Sequence, residues 1–197
     1  MRIKIIVLLF GASLISTPSA ISQTQPTTQT QPTPPPQSIP AAISPANPAD
    51  VSSIDAVIAA LYDVISGPVT KKRNWDRMRS LFIPGARLIP TNPRQTGGYA
   101  SRVLSVEDYI ARVEPFFAKE GFFEKETARR IESFGQIAHV FSTYDSRHSP
   151  EDPKPFQRGI NSIQLMNDGS RWWIVTIFWQ GEDEKNPLPE KYLKSPN

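Results

Sequence analysis

The chain contains no cysteine in its 197 residues. That excludes disulfides, thiol catalysis, iron–sulfur clusters and cysteine zinc sites, so the core alone must hold the fold. The lipobox cysteine of bacterial lipoproteins is missing as well. Histidine is nearly as scarce: only His139 and His148 are present. They are far apart and have no closely spaced ligand beside them, a poor basis for a metal site. No metal or other cofactor is expected. Net charge is a modest +3 and falls to +1 without Arg2 and Lys4, which gives the remaining chain no electrostatic reason to take nucleic acid or a membrane surface as partner. Long apolar runs are lacking too. The longest, Ile5 to Ile15, is about half of the ~20 residues that span a bilayer.

That run has another use. Arg2 and Lys4 precede it and Ser16-Thr17-Pro18-Ser19-Ala20 follows, the basic–apolar–small order of a secretory signal. Ala20-Ile21-Ser22 suits a signal peptidase, so cleavage is expected after Ser22. The destination would be the periplasm or the medium, and the mature chain would carry a net charge of +1. Residues 23–49 are rich in Gln, Thr, Pro, Ser and Ala, with no charge and no aromatic. Such sequence cannot offset chain entropy by burial and is expected to be a disordered linker. A folded domain is expected over 50–180, about the size of one domain, followed by a polar tail over 181–197.

Three helices are predicted first. Ser52-Ser53 can cap a helix with Ile54, Val57, Ile58, Leu61, Tyr62 and Ile65 on one face, ended by Gly67-Pro68. Asn74 can cap a short helix carrying Trp75, Met78, Leu81 and Phe82. Ser105, with Asp108 as capping-box partner, starts the third; Val106, Tyr109, Ile110, Val113 and Phe117 form its apolar stripe, and Pro115 should kink or end it. A short strand is predicted at 86–89 and a loop at 91–101. After the third helix the pattern changes to strands: a charged edge strand at 122–134, then 137–145, 158–166 and 172–179, with Asn167-Asp168-Gly169-Ser170 as a hairpin turn. The class is α+β, a curved antiparallel sheet wrapped on three N-terminal helices. Lys71-Lys72-Arg73 and Arg129-Arg130 read as solvated surface. In the last strand, plain alternation puts Trp172, Ile174 and Phe178 on one face and Trp173, Val175, Ile177 and Trp179 on the other. Both faces then need cover, and a homodimer is expected to supply part of it.

This element order, with Trp75-Asp76, Leu81-Phe82 and Asp168-Gly169…Trp172-x-Ile174, resembles the SnoaL-like branch of the nuclear transport factor 2-like superfamily over residues 50–180. The stretch from Arg158 to Leu165 also resembles a segment of exported members without assigned activity. The resemblance implies a cone with an apolar pocket at its open end, a fold shared by isomerases, dehydratases, cyclases, epoxide hydrolases and binding domains. It also implies where an isomerase would keep its machinery. The base would fall near Pro90, the oxyanion tyrosine near Ala60 and the protonated acid near Ser162, and none of these residues can do that work. Asp145 and Arg147 could stand for two of an epoxide hydrolase's Asp-Arg-Asp trio, but the second aspartate is missing.

A polar set on neighbouring strands remains. Tyr144, Arg147, Arg158, Asn161 and Gln164, with Tyr62 and Trp179, are candidates to line the cone mouth and hold a ligand. Strand alternation sends Arg158 and Gln164 to one face and Asn161 to the other. The resulting expectation is an exported domain that binds a small apolar or amphipathic molecule, or serves as an accessory subunit, without catalysis of its own. The alternatives are a lyase or isomerase with a non-standard acid or base, for which Asp145 and His139 are the candidates, and a structural dimerisation domain. A polar group facing an enclosed pocket would favour the enzyme, an empty apolar pocket the binder, and a filled cone the structural role.

Overall fold

The computed structural model describes residues 45–196. The leader at 1–22 and nearly all of the linker at 23–49 lie outside the described residues. The helices are α1 Pro48–Val51, α2 Ile54–Ile65, α3 Trp75–Leu81 and α4 Val106–Phe117. The strands are β1 Phe82–Pro93, β2 Tyr99–Ser101, β3 Phe123–Phe134, β4 Ile137–Arg147, β5 Gln157–Asn167 and β6 Trp172–Gly181. They form one six-stranded sheet in the order β2-β1-β6-β5-β4-β3. The class is α+β, a curled sheet wrapped on helices. One pairing departs from the antiparallel expectation: β1 runs parallel to β6, because α4, β3, β4 and β5 lie between them in the chain.

The helices begin where capping chemistry puts them. Ser53 accepts the Ala56 amide at 3.0 Å, Asn74 accepts the Arg77 amide at 2.9 Å, and Ser105 and Asp108 close a capping box. A fourth short helix, α1, precedes the three expected. Asn47 caps it, and its buried Asp50 is gripped by Arg77 at 2.7 Å. Pro115 does not stop α4, which continues to Phe117; a proline in the last turn removes only one helical hydrogen bond. The strand expected at 86–89 is longer, because β1 pairs along β6 and then turns back on β2 through Pro93 and Tyr99. Part of the expected 91–101 loop is therefore a hairpin.

Two bulges change which side chains face the core. In β6 the register slips opposite Gln164 and Leu165, making Val175 an extra residue. Ile174 and Ile177 are consequently both buried, and Trp172 and Trp179 pack on the same core. The plain alternation expected for this strand is thus wrong, and Phe178 is the residue left 47 % exposed on the outer face. In β3 the extra residue is Thr127. The concave face of the sheet packs on α2, whose Val57, Ile58, Leu61 and Ile65 meet Val140, Ile163 and Leu165 in one core.

Arg73 corrects the surface reading of the basic triplet. It is buried, and its guanidinium donates to the carbonyls of Ile65 at 2.8 Å and Gly67 at 2.7 Å and to those of Pro68 and Lys71. The Ile65 and Lys71 carbonyls would otherwise be unmet, those of Gly67 and Pro68 also accept the Phe122 and Lys71 amides, and a cation at a helix C-terminus is favoured there. Arg129 is half-buried as well, bridging Glu126 and Asp55. Arg130 reaches the Lys191 carbonyl in the tail at 2.6 Å.

Candidate functional site

At one end of the sheet lies a cavity of about 410 Å³, within the range of pockets that take small molecules. Its walls come from α2, α3, α4 and five strands. Apolar lining includes Leu61, Met78, Leu88, Val113 and Ile177, and a run of aromatic rings from Tyr109 through Phe117 and Phe122 to Trp179. Tyr109 and Trp179 meet edge to face, their centroids 6.3 Å apart. Phe117 and Phe122 lie 4.8 Å apart.

One carboxylate stands in this apolar wall. Before the β3 bulge, Phe122, Glu124 and Glu126 share the concave face, and Glu124 lines the cavity. Its main chain is tied to the end of α2: the Glu124 amide donates to Ser66 Oγ at 3.0 Å, and Gly67 and Phe122 exchange backbone hydrogen bonds at 2.7 and 3.1 Å. Gly67 is required there. Its φ of +149° disfavours a side chain, and a Cβ would lie 2.5 Å from the Lys71 side chain. Two neutral donors reach the Glu124 carboxylate, Ser146 Oγ at 2.8 Å and, more weakly, Asn161 Nδ2 at 3.5 Å. Burial dominates over these bonds and pushes the pKa up to about 7, with Asp145 nearby adding to the rise.

Behind this wall runs a chain of hydrogen bonds. Asn161 Nδ2 donates to Tyr62 Oη at 3.1 Å, Tyr62 Oη lies 2.7 Å from Ser142 Oγ, and Ser142 Oγ donates to Glu126 Oε1 at 2.6 Å. Glu126 is in turn paired with Arg129. The network fixes the Asn161 amide at the pocket wall and consumes the Tyr62 hydroxyl. Tyr144 and Tyr109 are different. Their hydroxyls have no hydrogen-bond partner among the described residues, both residues line the cavity, and both phenols are held above their ordinary pKa by burial and then by the Glu124 charge. Tyr144 is only 4 % exposed. Its hydroxyl crosses Gly159, where an added Cβ would lie 2.6 Å away.

Of the residues the sequence singles out, Tyr144, Asn161 and Trp179 come together on the pocket wall, with Tyr62 behind Asn161. The others do not. Asp145 and Arg147 leave β4 from the opposite face and pair with each other at 3.1 Å. Arg158 turns outward to Glu182 at 2.8 Å, and Gln164 is exposed on the outer face. His139 is on that face too, with Nε2 2.9 Å from Ser162 Oγ. Neither weak catalytic candidate, Asp145 or His139, reaches the cavity. Glu124, Ser146 and Tyr109 are the site residues that sequence reasoning missed. Glu124 reads as one more charge on a solvated edge strand, although its spacing from Phe122 puts both on one face. Among the described residues no group of three His, Cys, Asp or Glu is placed to hold a metal ion, and no helix is long and apolar enough to cross a membrane.

No family model matches the chain, and no curated protein does. Solved structures do. A candidate dehydratase of the NTF2-like family from Streptomyces avermitilis superposes with a TM-score of 0.50 at 13% identity, covering 68% of this chain and 96% of that one. The Kfla4162 protein of Kribbella flavida gives 0.48 at 12% identity, over 67% and 90% of the two chains. A candidate calcium/calmodulin-dependent protein kinase II association domain from Xanthomonas campestris gives 0.47 at 16%, over 73% and 99%. The first of these shows the fold: the chain folds as a cone like that NTF2-like structure. Likeness at this identity carries the fold and not the chemistry.

The raised pKa of Glu124 has a thermodynamic consequence. Between the ordinary carboxyl value of 4.5 and about 7, the folded protein holds a proton that the unfolded chain has lost. Stability therefore falls as pH rises through that window. Glu124→Gln removes the buried charge, so its melting temperature should match wild type near pH 4 and exceed it by several degrees at pH 8, a gain of roughly 2 kcal/mol. Thermal melts at the two pH values check this; equal melting temperatures at pH 8 would show that Glu124 carries no desolvation cost.

Proposed function

We propose that the domain binds a small amphipathic molecule in the cavity. The apolar body of the ligand lies along the aromatic wall, and its polar end meets Glu124, Asn161 and the two phenols. The observation that carries this reading is unspent hydrogen-bonding capacity inside an open apolar cavity. Thr91 Oγ1, on the cavity lining, is buried without a hydrogen-bond partner among the described residues, and such a group is costly unless something fills the space beside it; the Tyr144 hydroxyl faces the same cavity. A cavity of about 410 Å³ supports the binding reading over the purely structural one.

One observation favours the enzymatic alternative as a second reading. A carboxylate with a pKa near 7 beside two phenol donors is suited to proton transfer on a carbonyl compound, with Glu124 as the base in place of Asp145 or His139. Nile red, a neutral apolar fluorophore, tests the binding reading. It should bind one molecule per pocket with saturable fluorescence, and Val113→Trp, which fills the cavity, should abolish the signal without unfolding the protein. Unchanged fluorescence in that variant would overturn the pocket as the binding site. Deuterium uptake from D₂O into a bound ketone, lost in Glu124→Gln, would move the protein to the enzymatic reading.

A homodimer through the outer face of the sheet belongs to the same proposal. The tail covers part of that face, where Tyr192 packs 5.0 Å from Phe141. Phe178 stays exposed beside Ile89, its partner on β1, and an uncovered aromatic in such a row is an unfavourable surface. Sedimentation of the purified protein at micromolar concentration should give a dimer, and Phe178→Glu a folded monomer. A wild-type monomer would contradict the proposal.

A further inference from the structure

Three carboxylates packed into this fold are matched to arginine. Asp50 is held by Arg77, Glu126 by Arg129, and Asp145 by Arg147 through one of its oxygens. Glu124, half-buried on the cavity wall, has no such match. Among the described residues it has no cationic partner, only the neutral donors Ser146 and Asn161. The nearby arginines are already committed. Arg73 lies over the Phe117 ring, 5.1 Å from its centroid, with its donors on backbone carbonyls. Arg158 is on Glu182, and Arg147 also donates to the Asp152 carbonyl.

The charged side chains lining the cavity are Glu124, Glu182 and Asp183, all acidic. Among the described residues no lysine, arginine or histidine lines it. An anionic ligand would leave water, meet no counter-charge and be repelled by Glu124. A cation would find the reverse: an enclosed carboxylate lacking a partner, among rings whose faces attract positive charge. Tyr109, Tyr144 and Phe122 line the same cavity as Glu124, and Phe122 lies two residues before it in the chain. Aromatic faces beside a carboxylate are the chemistry that recognises an ammonium group.

We propose that the natural ligand is an apolar amine whose ammonium group pairs with Glu124 between Tyr109, Tyr144 and Phe122, its hydrocarbon body filling the remainder of the cavity. This rests on the pocket being the ligand site, and it deepens that reading by assigning the charge of the ligand. The amine supplies the cation that the fold itself provides for Asp50, Glu126 and Asp145. It also explains why Glu124 can remain in an apolar wall: with the ligand bound, the carboxylate is paired.

Three probes of nearly equal size separate the possibilities: 1-naphthylmethylamine, 1-naphthylmethanol and 1-naphthoate, titrated calorimetrically into the purified protein at pH 7.5. The amine should bind tightest, at least tenfold more tightly than the carboxylate, with the alcohol between. In Glu124→Gln, shown to be folded by circular dichroism, the amine's advantage should shrink to within about threefold. A carboxylate that binds as well as the amine overturns the charge assignment while leaving the pocket reading intact. An undiminished preference in Glu124→Gln overturns the role given to Glu124. Failure of all three probes to bind overturns the charge assignment and the pocket reading together. The wild-type ranking decides the question even if the variant does not fold.

Discussion

The end of α2 is stitched to the beginning of β3, and the pocket depends on that seam. Ser66 Oγ lies 2.7 Å from the Tyr62 carbonyl oxygen and accepts the Glu124 amide, while Gly67 and Phe122 bridge the two segments. Arg73 braces the seam by donating to the Ile65 and Gly67 carbonyls at the end of α2 and just past it. β3 is an edge strand, bonded on one side only to β4. Without the seam its first residues would be free to fray, and Glu124 would sit in water with an ordinary carboxylate. With it, Glu124 is carried beside α2 and α4 onto the cavity wall and is half-buried there. The local backbone bonds therefore set the electrostatics of the site.

The polar residues around the cavity fall into two groups with different consequences. Tyr62, Ser142, Glu126 and Arg129 form a closed network in which each polar atom meets another, and such networks fix geometry. Asn161 is held by it and cannot turn freely. Glu124, Tyr109 and Tyr144 form the open group, facing the cavity with capacity unspent. A fold optimised for stability alone would have placed apolar residues at these positions, since an unpaired enclosed carboxylate is destabilising. On the proposed reading, that cost is recovered when a ligand pairs with Glu124.

Much of the fold is legible in the sequence because its signals are local. Ser53, Asn74 and the Ser105–Asp108 box mark helix starts within a few residues, and Asn167-Asp168-Gly169-Ser170 marks a tight turn. The strand faces are harder to read. Alternation is reliable only without bulges, and the extra residues at Thr127 and Val175 reverse which side chains point inward. The site is harder still. Asn161 and Tyr144 stand out because they sit on strands with clean alternation. Asp145 lies one position further along the same strand as Tyr144, which sends it through the sheet. Glu124 lies among lysines, glutamates and arginines on an edge strand, where charge ordinarily serves to block pairing. Nothing local distinguishes it; its surroundings come from α2, α4, β4 and β5, all distant in sequence.

Glu124, half-buried on the cavity wall, carries a charge the fold leaves without a cationic partner among the described residues. Carbon-13 NMR of the glutamate side-chain carboxyls, with Glu124 assigned by its absence in Glu124→Gln, follows its titration directly. In the ligand-free protein the midpoint should lie near 7, well above the other glutamates. A midpoint near the ordinary 4.5 would mean that the carboxylate is hydrated, and the cavity would then hold no unpaired charge for a ligand to meet.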